Sequence, residues 1–285
     1  MIAGIIGVIH LLPMPGDPRY RSEKSSPSGF ERLRSAALRD AEALVSGGVD
    51  GLIIENFGSA PFPKGDHSQR LPPHQLAILT LITQEIMGCF PHGQRGDPLP
   101  IGVNCLRNDA QAALGIAAAC GLGQADKPGF IRVNVHTGAY LTDQGIIEGE
   151  AYQTLRYRQA LDAEGLKIFA DVLVKHAAPL VPISAREATH DCIERGLADG
   201  VIVTGQATGR AVDQQLLTQV IAAAGNTPVL IGSGFNLDQA QQLAPLVHGA
   251  IVGTWVKEEG LLDRPVDEKR VRQLVAAAAG RFRLA

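Results

Sequence analysis

Aromatic side chains are scarce in this sequence: Phe, Trp and Tyr make up 5% of its 285 residues, with a single Trp. So few π faces argue against a platform for stacking nucleic-acid bases. An excess of one charge is missing too. Twenty-six Lys and Arg stand against 29 Asp and Glu, for a net charge of −3. No run of Lys or Arg forms a patch, so no nucleic-acid partner is expected. No uncharged apolar stretch reaches the roughly 18 residues that a membrane-spanning helix needs. The apolar opening, residues 1–12, lacks a basic leading segment and an A-x-A-like cleavage site, and reads as a strand rather than a signal peptide. Cysteine is limited to Cys89, Cys105, Cys120 and Cys192, widely spaced and without a CxxC pair. That spacing argues against a disulfide framework or a zinc site and fits buried thiols in a reducing compartment. A cytoplasmic location is the expectation.

What the chain has in quantity is glycine, 32 residues, together with Ala, Val, Ile and Leu. Eight short β-branched runs recur, at 4–10, 51–56, 100–105, 130–135, 167–172, 200–204, 228–232 and 250–254. Segments of helical period separate or follow them, at 30–46, 73–87, 110–120, 151–161, 185–195, 213–224, 237–243 and 267–279. Continuously apolar strands alternating with helices indicate a parallel sheet. Eight such units in this length fit an α/β fold of the (β/α)8 TIM-barrel type in one domain, 1–285. A doubly wound open sheet is the alternative. Gly47-Gly48-Val49-Asp50-Gly51 and Gly196-Leu197-Ala198-Asp199-Gly200 echo each other four units apart, where half-barrel symmetry would place them.

Three long loops, 11–29, 57–72 and 136–149, each follow a strand and so lie over the C-terminal face, where barrel active sites are built. The insert 89–98 precedes a strand and reads as a surface elaboration of the opposite face.

Alternation along the strands sorts side chains into a helix-facing apolar set and an inward set. Ile131, Val133 and Val135 face helices, which turns Arg132 and Asn134 inward. Ile168, Ala170 and Val172 turn Asp171 inward; Leu52 and Ile54 turn in Glu55; Ile101 and Val103 turn in Asn104. The same rule puts His10 and Thr204 inside. Six of the eight strands thus end in an inward polar residue, a ring that costs desolvation unless its members pair or meet a ligand. Two readings stand: a ligand site, and a structural salt-bridge plug of Arg132 with Glu55 and Asp171. The last two strands end instead in Gly232-Ser233-Gly234 and Gly253-Thr254. Small residues there would let backbone N–H groups approach a phosphate, with Gly205 widening the cradle. A tight strand-to-helix turn is the alternative. Lys175 shares the parity of Asp171 further out, as a Schiff-base or oxyanion-stabilising lysine or as a solvated loop residue. A metal held by Glu55, Asp171 and His10 or His176 is conceivable without a spacing motif, with Mg²⁺ as the ion considered. Past the third strand, Asn108 or Asp109 would cap a helix while Arg107 reaches for the site.

These stretches resemble the BtpA family (BtpA/SgcQ) nearly end to end. Gly7-Val8-Ile9-His10-Leu11 with Pro13-Met14-Pro15-Gly16 carries the likeness, as do Gly48 through Gly58 with Ile54-Glu55-Asn56, and Arg107-Asn108-Asp109. Arg132-Val133-Asn134, Ala170-Asp171-Val172 with Lys175-His176, Ile231-Gly232-Ser233-Gly234 and Gly253-Thr254 continue it. The resemblance implies a TIM barrel. For cyanobacterial members it implies a role in accumulating photosystem I reaction-centre proteins, and a place as an extrinsic protein on the cytoplasmic side of the thylakoid membrane. Members in non-photosynthetic bacteria near sugar-uptake genes imply an older small-molecule activity. No catalytic residue is carried over from the family.

Three functions follow. One is a photosystem I biogenesis factor, resting on resemblance alone, with thylakoid membrane or photosystem I proteins as partners. The second is an isomerase, epimerase or aldolase acting on a small phosphorylated ligand. There Glu55, Asp171, Lys175 and His10 would be catalytic, Asn104, Arg132, Asn134 and Thr204 would bind substrate, and Gly205, Gly232, Ser233, Gly234, Gly253 and Thr254 would hold phosphate. The third is a ligand-sensing barrel without turnover. A homo-oligomer is the expected assembly on general grounds.

Overall fold

The computed structural model describes residues 2–21, 29–174, 176–205 and 213–283. Its strands, in chain order, are β1 (Gly4–His10), β2 (Gly51–Glu55), β3 (Ile101–Asn104), β4 (Gly129–Val133), β5 (Ala139–Thr142), β6 (Gly145–Glu148), β7 (Lys167–Val172), β8 (Ala177–Pro179), β9 (Gly200–Val203), β10 (Val229–Ile231) and β11 (Gly249–Val252). The α-helices are α1 (Gly29–Gly47), α2 (Pro73–Cys89), α3 (Ala110–Ala119), α4 (Ala151–Ala160), α5 (Ala185–His190), α6 (Gln214–Ala224), α7 (Leu237–Leu243) and α8 (Glu268–Ala278). Eight parallel strands close in the order β1-β11-β10-β9-β7-β4-β3-β2. The (β/α)8 barrel expected from the sequence is the fold, and the open doubly wound sheet is not.

The alternation of the strands divides the apolar residues as their parity requires. Ile5, Ile9, Leu52, Ile54, Ile131 and Ile168 belong to the large cluster between strands and helices. Ile6, Val8, Ile53, Phe130, Phe169, Ile202, Leu230 and Ile251 form a separate cluster that fills the barrel. Large and small residues alternate inside it. Phe130 is registered with Gly102 and Phe169 with Gly200. A Cβ on Gly102 would lie 2.3 Å from the Phe130 ring, and one on Gly200 would lie 2.3 Å from the Phe169 ring. Two glycines on β3 and β9 thereby make room for two rings on β4 and β7, which meet edge to face at 5.7 Å.

The sequence echo is a repeated clasp. Asp50 Oδ2 accepts from Ile5 N at 2.9 Å while Asp50 N donates to Ile5 O at 2.7 Å. Asp199 Oδ2 accepts from Ile168 N at 3.0 Å while Asp199 N donates to Ile168 O at 2.8 Å. Each aspartate ties the entrance of one strand to the neighbour before it, and the two clasps sit half a barrel apart.

The loop expected at 136–149 differs from expectation. It folds into the hairpin β5–β6, which with β8 makes a three-stranded antiparallel sheet beyond the barrel. Its cause is local. Tyr140 and Ile147 point to one face and Leu141 and Ile146 to the other, and the intervening turn closes at Gly145 with φ +89°. Tyr140 and Ile147 pack with Val135 and Val174 at the ends of the strands. The insert 89–98 lies at the opposite, N-terminal end, where Gln94 donates to Ser46 O and Arg95 pairs with Asp50. No helix among the described residues is long and apolar enough to cross a membrane.

Candidate functional site

Register builds the site. Across three adjacent strands His10 is level with Glu55, and Glu55 with Asn104, all three pointing inward at the C-terminal end. Asn104 Nδ2 donates to Glu55 Oε2 at 2.5 Å, and His10 Nε2 stands 3.9 Å from Glu55 Oε1. One carboxylate oxygen is therefore fixed by an amide, and the other faces an imidazole. Across the barrel, Arg132 donates Nε to Asp171 Oδ1 and Nη2 to Asp171 Oδ2, both at 2.9 Å. Asn134 Nδ2 adds a third donor to Asp171 Oδ2 at 2.9 Å. Burial lowers the Arg132 pKa, but the Asp171 carboxylate outweighs it and the net shift is upward, so the guanidinium stays charged.

A cavity of about 370 Å³ opens at this mouth, lined by His10, Glu55 and Arg132. Gly232-Ser233-Gly234 and Gly253-Thr254 line it as well. Its size is within the range of small-molecule sites. Both first glycines are kept bare by close neighbours. A Cβ on Gly232 would come within 2.4 Å of Ile202 and 3.1 Å of the Arg132 guanidinium, and one on Gly253 within 2.4 Å of the His10 ring. Among the described residues, Ser233 Oγ is buried without a hydrogen-bond partner, as is Thr204 Oγ1. An unpartnered buried hydroxyl is costly unless a ligand completes it. The helix after Ser233 is short and its first turn is closed by its own residue, since Asn236 Oδ1 accepts from Gln239 N. Any anion here would therefore be met by the loop rather than by the helix end.

The expected site residues fall into three groups. His10, Glu55, Arg132, Gly232, Ser233, Gly234, Gly253 and Thr254 line the cavity. Asn104, Asn134, Asp171, Thr204 and Gly205 are not on its wall. Of these, Asn104 holds Glu55, Asp171 holds Arg132, and Asn134 donates to Asp171. Lys175 lies outside the described residues. Both oxygens of Asp171 are engaged by three donors, which leaves it as the partner of Arg132 rather than a free base. Among the described residues no three His, Cys, Asp or Glu side chains gather as a metal site would require. Asp109 takes the cap of α3, accepting from Ala112 N at 2.9 Å, and Asn108 bonds both backbone groups of Val135. Arg107 is buried, and its pKa is lowered by that burial against the pull of Asp171 and Asp143.

Sequence reasoning missed three aromatic residues of the wall, Phe57, Phe235 and Trp255, of which Phe235 is buried. Each is a lone loop residue outside any periodic pattern. The scarcity of aromatics was the available signal: the single Trp of the sequence is at the cavity. The segment that carries Trp255 is anchored by a buried pair, Lys257 Nζ to Asp40 Oδ2 on α1 at 3.2 Å.

Residues 1–280 match the model of the BtpA family. The chain is 43% identical to the photosystem I biogenesis protein BtpA of Synechocystis sp., over 96% of this chain and 88% of that protein. It is 40% identical to an uncharacterised protein of Thermococcus kodakarensis, over 96% of this chain and 94% of that one. A mitochondrial uncharacterised protein of Caenorhabditis elegans is 31% identical over 95% of this chain and 91% of its own length. Among solved structures, a thiamine phosphate pyrophosphorylase from Pyrococcus furiosus superposes with a TM-score of 0.56 at 12% identity, covering 98% of both chains. Tryptophan synthase of Mycobacterium tuberculosis follows with a TM-score of 0.55 at 18% identity, over 99% of this chain and 93% of that one. At such identities the likeness shows the barrel alone.

Proposed function

The chain belongs to the BtpA family, and from that premise we propose that it is a barrel enzyme acting on a small phosphorylated substrate by proton abstraction beside a carbonyl. The observation that carries this reading is one cavity shared by a carboxylate, a charged guanidinium and two glycine turns. Glu55 Oε1, the oxygen not taken by Asn104, removes a proton from a carbon next to the carbonyl. The electron pair moves onto the carbonyl oxygen, and Arg132, held by Asp171, stabilises the oxyanion. Return of the proton to the same or a neighbouring carbon, with His10 beside Glu55 as relay, gives an epimer or an isomer. Ser233, Thr254 and the backbone around Gly232, Gly234 and Gly253 hold the phosphate, and the unpartnered Ser233 hydroxyl supports that role.

A thermal-shift panel of inorganic phosphate and sugar phosphates, with and without Mg²⁺, tests the reading. Saturation a hundredfold above Kd stabilises the native state by about 2.7 kcal/mol. A shift that disappears in Ser233→Leu and Thr254→Leu supports the phosphate cradle. No shift with any phosphate compound counts against it.

A second reading, a role in photosystem I biogenesis at the thylakoid surface, is favoured by the 43% identity with the Synechocystis protein of that name. Likeness of 40% to an archaeal protein and 31% to a nematode protein favours a chemistry older than that role. In a photosynthetic host, rescue of photosystem I levels by Glu55→Gln would make the role independent of the cavity chemistry. Failure of a well-folded Glu55→Gln to rescue would tie the two together.

A further inference from the structure

The cavity's rim is more specialised than a phosphate and a carbonyl require. Trp255 follows β11 and Phe57 follows β2, and these strands flank β1 on either side. The two side chains thus stand on either side of His10, and both line the cavity. Each is braced from behind. Arg270 stacks on one face of the indole, 4.4 Å from its centroid, and donates Nε to Trp255 O at 2.7 Å. Arg270 is not on the cavity wall, so the indole offers the cavity its other face or its edge. Phe57 lies 4.9 Å from the His10 ring and meets Phe62 edge to face at 6.4 Å. Both are partly exposed.

We propose that the cavity binds a phosphate ester carrying a planar aromatic or heterocyclic group, with Trp255 and Phe57 forming that group's subsite. The proposal rests on the phosphate reading above for one end of the ligand and adds the other end. Two features favour a flat π system over a plain sugar. The guanidinium behind the indole draws electron density from it, which weakens its pull on cations and C–H groups and suits it to stacking with another ring. The cavity of about 370 Å³ is lined both by the glycine turns assigned to phosphate and by these two aromatic side chains, so one wall serves both parts of such a ligand.

Calorimetric titration of the whole protein with four probes separates the two ends: inorganic phosphate, ribose 5-phosphate, adenosine and adenosine 5′-monophosphate. The expected result is that the nucleotide binds about tenfold to a hundredfold more tightly than ribose 5-phosphate, the usual range for one stacked base. Its binding should also change the fluorescence of Trp255, the sole tryptophan. Trp255→Leu and Phe57→Leu keep apolar bulk and should erase most of that difference while leaving ribose 5-phosphate binding in place. Equal affinity for nucleotide and ribose 5-phosphate, or a preference that survives both variants, overturns the aromatic subsite and leaves the phosphate reading standing. Adenosine binding to which the phosphate adds nothing supports the subsite and removes the phosphate reading. No binding of any probe overturns both.

Discussion

Arg132 and Asp171 form a two-pronged ion pair in the barrel mouth, both prongs at 2.9 Å, with the two residues 5% and 3% exposed. Removing one partner leaves an uncompensated buried charge, which costs about 3–5 kcal/mol. Asp171→Asn should therefore lower the urea midpoint sharply. The double change Arg132→Met with Asp171→Leu should recover a large part of that loss and yet lose the affinity for phosphate esters. If the single and double variants are equally stable, the pair is not what the mouth relies on.

Glu55 differs from Asp171 in that, among the described residues, no donor is held at hydrogen-bond distance on its Oε1, where His10 Nε2 stands 3.9 Å away. Glu55→Gln can still accept from Asn104, so melting should move little. Exchange of the substrate's carbon-bound hydrogen for solvent deuterium, followed by NMR with the sugar phosphate selected by thermal shift, should slow by about 10²–10⁴-fold. Asn104→Leu should give a smaller loss of rate, by freeing the carboxylate to rotate. Exchange at the wild-type rate in Glu55→Gln would assign the base elsewhere.

How much of this was legible follows from range. Period-two alternation is local, so Ile131 and Val133 sufficed to turn Arg132 inward, and the inward ring could be read from the chain. Which members touch which depends on strand register, which joins Asn104 to Glu55 across 49 residues and leaves no mark in either strand. The Lys257–Asp40 anchor spans 217 residues and was equally invisible. The hairpin at 139–148 was hidden differently. Its alternation is only four residues per strand, and Thr142-Asp143-Gln144-Gly145 reads as loop chemistry until the sheet is seen. Trp255 and Phe57 carry no period at all.

The repeated clasp gives a stability prediction. Gly48 and Leu197 occupy equivalent places before Asp50 and Asp199, and both are left-handed, at φ +92° and φ +50°. Leucine is strained there by about 1–2 kcal/mol, and glycine loses about 0.5–1 kcal/mol through its freer unfolded chain. Leu197 is 58% exposed, so little packing is lost on replacement. Leu197→Gly should stabilise the protein by up to about 1 kcal/mol, a rise in Tm of about 2–4 °C. Gly48→Leu should do the reverse. A lower Tm for Leu197→Gly would mean that the leucine's contacts outweigh its backbone strain.

Acid should weaken the fold through two histidines that the native state keeps neutral. His136 is almost wholly buried and its Nε2 lies 2.7 Å from Gly196 O, so the ring donates there and Nδ1 has no partner among the described residues. Burial lowers its pKa, with Arg158 adding to the effect. His248 is shifted the same way by burial and by Arg283, and its Nδ1 accepts from Val229 N. A depressed folded-state pKa means that the unfolded chain takes up the proton first, near the ordinary value of about 6.5. Below that pH the unfolded state binds more protons than the native one, so stability falls with pH until the native pKa is reached; above it the contribution is fully present. For His136 the limiting slope is about 1.4 kcal/mol per pH unit. Urea midpoints should therefore fall from pH 7.5 to pH 5.5 in the wild type and fall less steeply in His136→Gln. Parallel pH dependences for the two proteins would show that protonation of His136 is not coupled to unfolding, and the acid sensitivity would then pass to His248 or to the carboxylates.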